Sequence, residues 1–280
     1  MQSLILGLGA ALLWGLHDFT VRRIGGRAEA SVLLLMALVF GTLWLAPFAF
    51  VTGGWDTLTA AVTGLALVSG ACFACAGYGL YRAFAIGPVR LVAPICGAYP
   101  VLSVAFAVAR GQESGVLVWL GVLAVVGGIA LVASGESDGT NGRKTEAILW
   151  ATLSCVGFAA TFGLAQWAAE GAADLPVSLV QRLGAVALVL AVITLRRPDM
   201  RPALAMWPTL AVMGALDVGA LTLVTVAGGF ANPEFASVTS SIFGLVTILL
   251  AWRLLAEAMT PPQWLGVATV FGGIFLLGTT

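Results

Sequence analysis

The sequence predicts an all-α integral membrane protein, with ten transmembrane helices in two five-helix repeats that enter the bilayer in opposite senses. Three observations predict it. The 280-residue chain is 60% hydrophobic and only 9% charged, with a mean hydropathy of +1.03. A soluble domain carries roughly 25% charged residues, so most of this surface must face lipid. Second, WLGVLAVVGGIALV (Trp119–Val132) returns 145 residues later as WLGVATVFGGIFLL (Trp264–Leu277), identical at nine of fourteen positions. Third, equivalent loops in the two halves exchange their arginines.

Taken in order, the apolar runs fall at 3–21, 30–51, 60–84, 88–109 and 115–134, then 147–169, 176–195, 205–227, 234–255 and 261–279. Each is near the ~20 residues that a membrane helix needs. They are too long for barrel strands and lack period-two alternation. The N-terminus has no basic residue before its first run. Arg22, Arg23 and Arg27 follow that run instead, which reads as a retained transmembrane helix rather than a cleaved leader. Between the halves lies GESDGTNGRKTE, the one stretch with the composition of a soluble loop. The expected division is a first repeat over 1–134, a polar linker over 135–146 and a second repeat over 147–280.

Five is odd, so a second copy must insert upside down relative to the first. The loop after helix one, VRRIGGRAEA, is basic, and its counterpart AAEGAADLP has no Lys or Arg. The loop after helix two, VTGGWDT, has none either, and its counterpart LRRPDMRP has three. Arginine and lysine concentrate in the odd-numbered loops. By the positive-inside rule these are cytoplasmic, which places both termini outside and the chain in the cell's inner (plasma) membrane as a multi-pass protein.

Zero net charge implies no nucleic-acid partner. The CxxC of Cys72 and Cys75 lies in an apolar run with no zinc or redox context, so the cysteines read as packing residues. No metal site and no cofactor is expected. There is one histidine, no HExxH and no acid pair at catalytic spacing, so no catalytic residue is assigned and an integral-membrane enzyme is disfavoured. No ATP-binding motif is present.

The polar groups at membrane depth are the candidate site, because lipid exposure there is costly. His17 and Asp18 follow Trp14 in helix one, and Trp14 and Asp18 share a face at i,i+4. Asp217 sits mid-span in ALDVGALTL, and Arg182 lies in helix seven. His17, Asp18 and Asp217 are the candidate proton-coupling groups. A bland reading sets His17 and Asp18 at the cytoplasmic end of helix one, solvated or paired with Arg22. Arg182 is open to either a structural ion pair or a substrate carboxylate. Tyr78, Tyr99 and Trp167 are taken as aromatic cavity residues, with Tyr81, Trp119 and Trp264 assigned to interfacial belts. Pro94 and Pro100 are expected to kink helix four, and Pro233 to begin helix nine. The Gly127-Gly128 and Gly272-Gly273 pairs would let helices five and ten pack closely, against each other or against a second protomer, so a monomer and a homodimer are both open.

Several stretches resemble the EamA-type transporters of the drug/metabolite transporter superfamily, over essentially the whole chain. AALLWG (Ala10–Gly15) is similar to the family's first-helix signature. PVRLVAPICGAYPVLSVAFAVARGQE (Pro88–Glu113) is similar to its fourth helix, and LLAEAMTPPQWLGVATVFGGIFLLG (Leu254–Gly278) to the end of its second repeat. One departure is that Phe243-Gly244 stands in the ninth helix near where the fourth has Tyr99-Pro100. The resemblance implies a secondary carrier, often an exporter of amino acids or other small metabolites. On this reading, Trp14, His17, Tyr78, Tyr99, Trp167 and Asp217 would bind substrate in a central cavity between helices one, three, four, six, eight and nine, reached by alternating access. The partners expected are the lipid bilayer, a small-molecule substrate and protons as a candidate coupling ion. An organic cation or drug is the alternative substrate.

Overall fold

The structure is a computed structural model describing residues 2–109, 115–134, 141–227, 230, 236, 239–240 and 242–278. The described elements are α1 (Gln2–Ile24), α2 (Ala30–Thr52), α3 (Ala60–Ile86), α4 (Val89–Cys96), α5 (Tyr99–Ala109), α6 (Val116–Ser134), α7 (Asn141–Ala169), α8 (Asp174–Arg196), α9 (Arg201–Leu204), α10 (Trp207–Ala227), α11 (Phe243–Leu254) and α12 (Pro261–Gly278). Among the described residues, eight helices are long and apolar enough to cross a membrane, and Val89–Leu102 and Phe243–Leu254 are shorter apolar helices. Together they form the ten crossings in two inverted five-helix repeats. Pro233, Arg110 and Glu113 lie outside the described residues.

Local chemistry sets the helix ends. Glu29 accepts from Ser31 N at the start of α2, and Thr59 accepts from Val62 N at 3.2 Å at the start of α3. At the start of α12 the Gln263 side chain accepts from Thr260 N at 2.9 Å, one half of a capping box. The fourth crossing is not one helix. It breaks at Gly97-Ala98, between α4 and α5. Pro100 cannot donate to the carbonyl four residues back, at Cys96, and its ring crowds that carbonyl. The stretch read as a polar linker is helical from Asn141 onward.

The packing repeats itself when the halves are exchanged. α3 packs on α7 as α10 packs on α1, and α3 on α8 as α10 on α2. α4 and α5 lie against α7 as α11 lies against α1. α2·α8 and α6·α12 are pairs of equivalent helices. The repeated stretch is the α6·α12 contact, and its glycines meet crosswise. A Cβ on Gly128 would lie 2.7 Å from Gly266 O, and one on Gly266 would lie 2.9 Å from Gly128 O. A Cβ on Gly273 would lie 2.8 Å from Gly121 O, and one on Gly121 would lie 3.2 Å from Gly273 O. The two helices therefore pack on each other. Without hydrophobic drive between helices in lipid, such close backbone approach is what holds them.

Loops gather by parity. At one end, the arginine-rich end, Arg22 Nε donates to Glu257 Oε1 at 2.8 Å and Arg82 Nη2 donates to Glu146 Oε1 at 3.1 Å. At the other, Ala173 N donates to Thr57 Oγ1 at 3.0 Å, and Thr239 Oγ1 lies 3.4 Å from Leu4 O.

Candidate functional site

The middle of the bundle holds a cavity of about 140 Å³. Trp14, His17 and Asp18 face it from α1, at the i, i+3, i+4 spacing of one helical face. Phe73, Gly77, Leu80 and Tyr81 line it from α3, Cys96 and Tyr99 from the broken fourth crossing, and Phe158, Thr161 and Phe162 from α7. Met213, Gly214, Asp217 and Leu221 come from α10 and Phe243 from α11. Two further helices contribute beyond those expected: α2 with Leu34, Ala37 and Leu38, and α8 with Gln181 and Arg182.

Two ionisable pairs sit in this apolar wall. Asp217 is the centre of the first. Its Oδ1 accepts from Trp14 Nε1 at 2.9 Å, and its Oδ2 accepts from Arg182 Nη2. Trp14 therefore bonds Asp217 across the bundle, not the Asp18 on its own helix. Arg182 is 5% exposed, and its guanidinium lies 5.9 Å from the centre of the Phe73 ring. Gly41 makes room for it, since a Cβ there would stand 2.7 Å from Arg182 Nη1; Gly214 lets α10 approach α2 at the same point, a Cβ on it falling 2.5 Å from Gly41 N. The second pair is His17 Nδ1 with Asp18 Oδ1 at 3.0 Å. Both residues lie inside the protein and neither pairs with Arg22. Arg22 reaches Glu257 and the Phe84 carbonyl instead.

A polar chain steadies the far wall. Gln181 Nε2 donates to Ser69 Oγ at 3.0 Å, and Ser69 Oγ donates to Thr161 O at 2.8 Å. This ties α8, α3 and α7 together. Tyr99 packs against Phe162 with ring centres 4.9 Å apart.

Two of the expected aromatics stand elsewhere. Tyr78 is not in the cavity lining; it lies edge-on to Trp150 at 5.4 Å, in the α3·α7 contact. Trp167 is 56% exposed and shares the outer stripe of Leu149, Leu153 and Val156 on α7, so it faces lipid. Tyr81, assigned to an interfacial belt, is 3% exposed and lines the cavity. One helical step of three residues turns a side chain by about 60°, enough to carry Tyr78 into the α7 contact and Tyr81 to the cavity.

The arginine-rich end of the bundle is closed by Glu257. Besides Arg22, its carboxylate accepts from Val89 N at 2.8 Å, at the start of α4. Arg22 Nη1 donates to Phe84 O at 2.8 Å and Arg90 Nη1 to Ala258 O at 2.8 Å. Ala256, with φ of 53°, takes the left-handed conformation just before Glu257. A β-carbon makes that conformation cost about 1–2 kcal/mol, and the bonds to Glu257 offset it. Glu257 thus joins the ends of α1 and α4 to the loop between α11 and α12, and Arg22 carries the link on to α3.

An inverted ten-crossing bundle around a central, mostly apolar cavity that holds a few ionisable side chains defines a polytopic membrane carrier. The chain belongs to the EamA-like transporter family, whose pattern matches residues 1–134 and again 145–279. It is therefore a membrane transporter of the drug/metabolite type. Among solved structures, one described only as the crystal structure of a protein aligns over 98% of this chain and 95% of its own, with a TM-score of 0.60 and 16% identity. That likeness is one of fold. No curated protein matches the chain.

Proposed function

We propose that the protein exports a small amphipathic metabolite carrying both an amine and a carboxylate, an amino acid being the first class to test, by alternating access across the cell's inner membrane. The observation that carries this reading is the cavity itself. One aromatic chamber holds a guanidinium (Arg182), two carboxylates (Asp18 and Asp217) and an imidazole (His17). Opposite charges in a low-dielectric wall recognise opposite charges on a solute, and the aromatic rings accept its apolar part. The odd-numbered loops are the cytoplasmic ones, with both termini outside. His17 and Asp18 are the proposed proton carriers, and Asp217 holds Arg182 in place.

A second reading is favoured by one specific bond. Arg182 is already neutralised by Asp217, which leaves the His17–Asp18 pair to meet a solute's charge. An organic cation would suit that balance, with aromatic faces around it.

Counterflow into proteoliposomes preloaded with pooled amino acids tests the first reading. Accumulation of a labelled amino acid above empty liposomes is expected, and an imposed pH gradient should drive it in the parent but not in His17→Gln. Accumulation of labelled alkylamines with no amino-acid exchange, from protein that remains folded, would replace the first reading with the second.

A further inference from the structure

A second, smaller cavity of about 60 Å³ lies toward the arginine-rich end, between the loop after α1 and the last turns of α3. Gly25, Gly26, Glu29, Leu33, Arg82 and Ala85 form most of its wall. Tyr81 lines this vestibule and the central cavity, and it is the one described residue common to both linings. It therefore stands where the two cavities come nearest.

The ring is held by shape alone. Its hydroxyl is buried and makes no hydrogen bond, and its nearest aromatic contact is edge-on to His17, at 6.3 Å between ring centres. The neighbouring junction, between α1 and α4, is different. There Glu257 is bonded to Arg22 and to Val89 N, and charge-assisted bonds must break before α1 and α4 separate. Past Tyr81, no hydrogen bond made by the ring itself has to break. A buried hydroxyl without a partner is also destabilised where it sits, which favours a ring position in which a solute or water can bond it.

We propose that Tyr81 is the inner door of the carrier. Solute passes between the central cavity and the arginine-rich end through the vestibule walled by Gly25, Glu29 and Arg82 when the Tyr81 ring turns aside. Polar solute meets the hydroxyl as it passes, and the ring blocks passage at other times. The door rests on the alternating-access reading above, yet its test needs no substrate.

Thiol accessibility tests it. The four native cysteines are replaced by alanine, and single reporters are placed in the cavity (Ala37→Cys) or the vestibule (Ala85→Cys). The protein is reconstituted, and a membrane-impermeant thiol reagent is added from one side. The side that labels Ala85→Cys is the arginine-rich side. From that side the Ala37→Cys reporter should label slowly in the parent and in Tyr81→Phe, which keeps the ring. It should label at least tenfold faster in Tyr81→Ala and in Tyr81→Leu, the second variant guarding against misfolding of the first. An unchanged Ala37→Cys rate in a folded Ala or Leu variant, with Ala85→Cys still labelled, would overturn the door. So would a Phe variant that leaks as fast as Ala, because the ring would then be irrelevant. Labelling as expected without amino-acid exchange would leave the door standing and remove only the substrate reading.

Discussion

Asp217→Asn tests the organisation of the cavity most directly. In the parent, the Asp217 carboxylate accepts from Trp14 Nε1 and from Arg182. Asparagine keeps one acceptor oxygen and loses the charge. Arg182, at 5% exposure, would then be a buried cation without its counter-ion. Breaking a buried pair by removing one partner costs about 3–5 kcal/mol. At the low end this should lower the unfolding temperature by on the order of 10 °C, read by thermal unfolding in detergent. Removing both charges, in Asp217→Asn with Arg182→Gln, should recover much of that loss, because no lone charge remains. Exchange should fall in both variants. If the double variant is no more stable than Asp217→Asn alone, the charge pair does not organise this cavity and the reasoning fails.

Three further outcomes follow from the packing. A Cβ on Gly128 would press on Gly266 O and Val270, whereas one on Gly127 meets nothing within 4 Å. Gly128→Ala should therefore cost about 1–3 kcal/mol and Gly127→Ala nothing or less than nothing, as measured by thermal unfolding; equal shifts would refute the crosswise contact. Glu257→Gln should destabilise the arginine-rich end by about 1–3 kcal/mol, and a double-mutant cycle with Arg22→Gln should return a coupling of about 0.5–3 kcal/mol; additivity would dissolve the link. Tyr99→Ala should weaken substrate affinity severalfold at similar stability. Tyr78→Ala should instead lower stability by about 3 kcal/mol with affinity retained, and the reverse pattern in counterflow and melting assays would exchange their roles.

The crossings were legible in the sequence because the bilayer demands long apolar runs, and their inversion because Arg22, Arg23 and Arg27 in one half answer to Arg196, Arg197 and Arg201 in the other. Depth was legible for Asp217, which had no inexpensive place in lipid; for His17 and Asp18 the sequence left a solvated place at the end of helix one equally open. What each helix turns toward its neighbours was not legible. Lipid is as apolar as a helix contact, so hydrophobicity does not mark which face of α3 or α7 points inward. Trp167 on its lipid stripe and Tyr81 in the wall look alike as letters. Partners were also beyond reach, since Trp14 and Asp217 meet across 203 positions. Arg182's room is made by Gly41, a helix away, and nothing in the letters ties the two together.

The contact between α6 and α12 carries a consequence for descent. Each glycine of WLG rests on the second glycine of the opposing GG pair, and the reverse holds for its twin. Two identical chains, inserted head to tail beside one another, could make that contact without any change. Fusion of such a pair would leave the seam free to stay alike in both halves, as WLG and GGI have. The two halves would be free to diverge where they no longer served each other, which is where His17, Asp18 and Asp217 now stand.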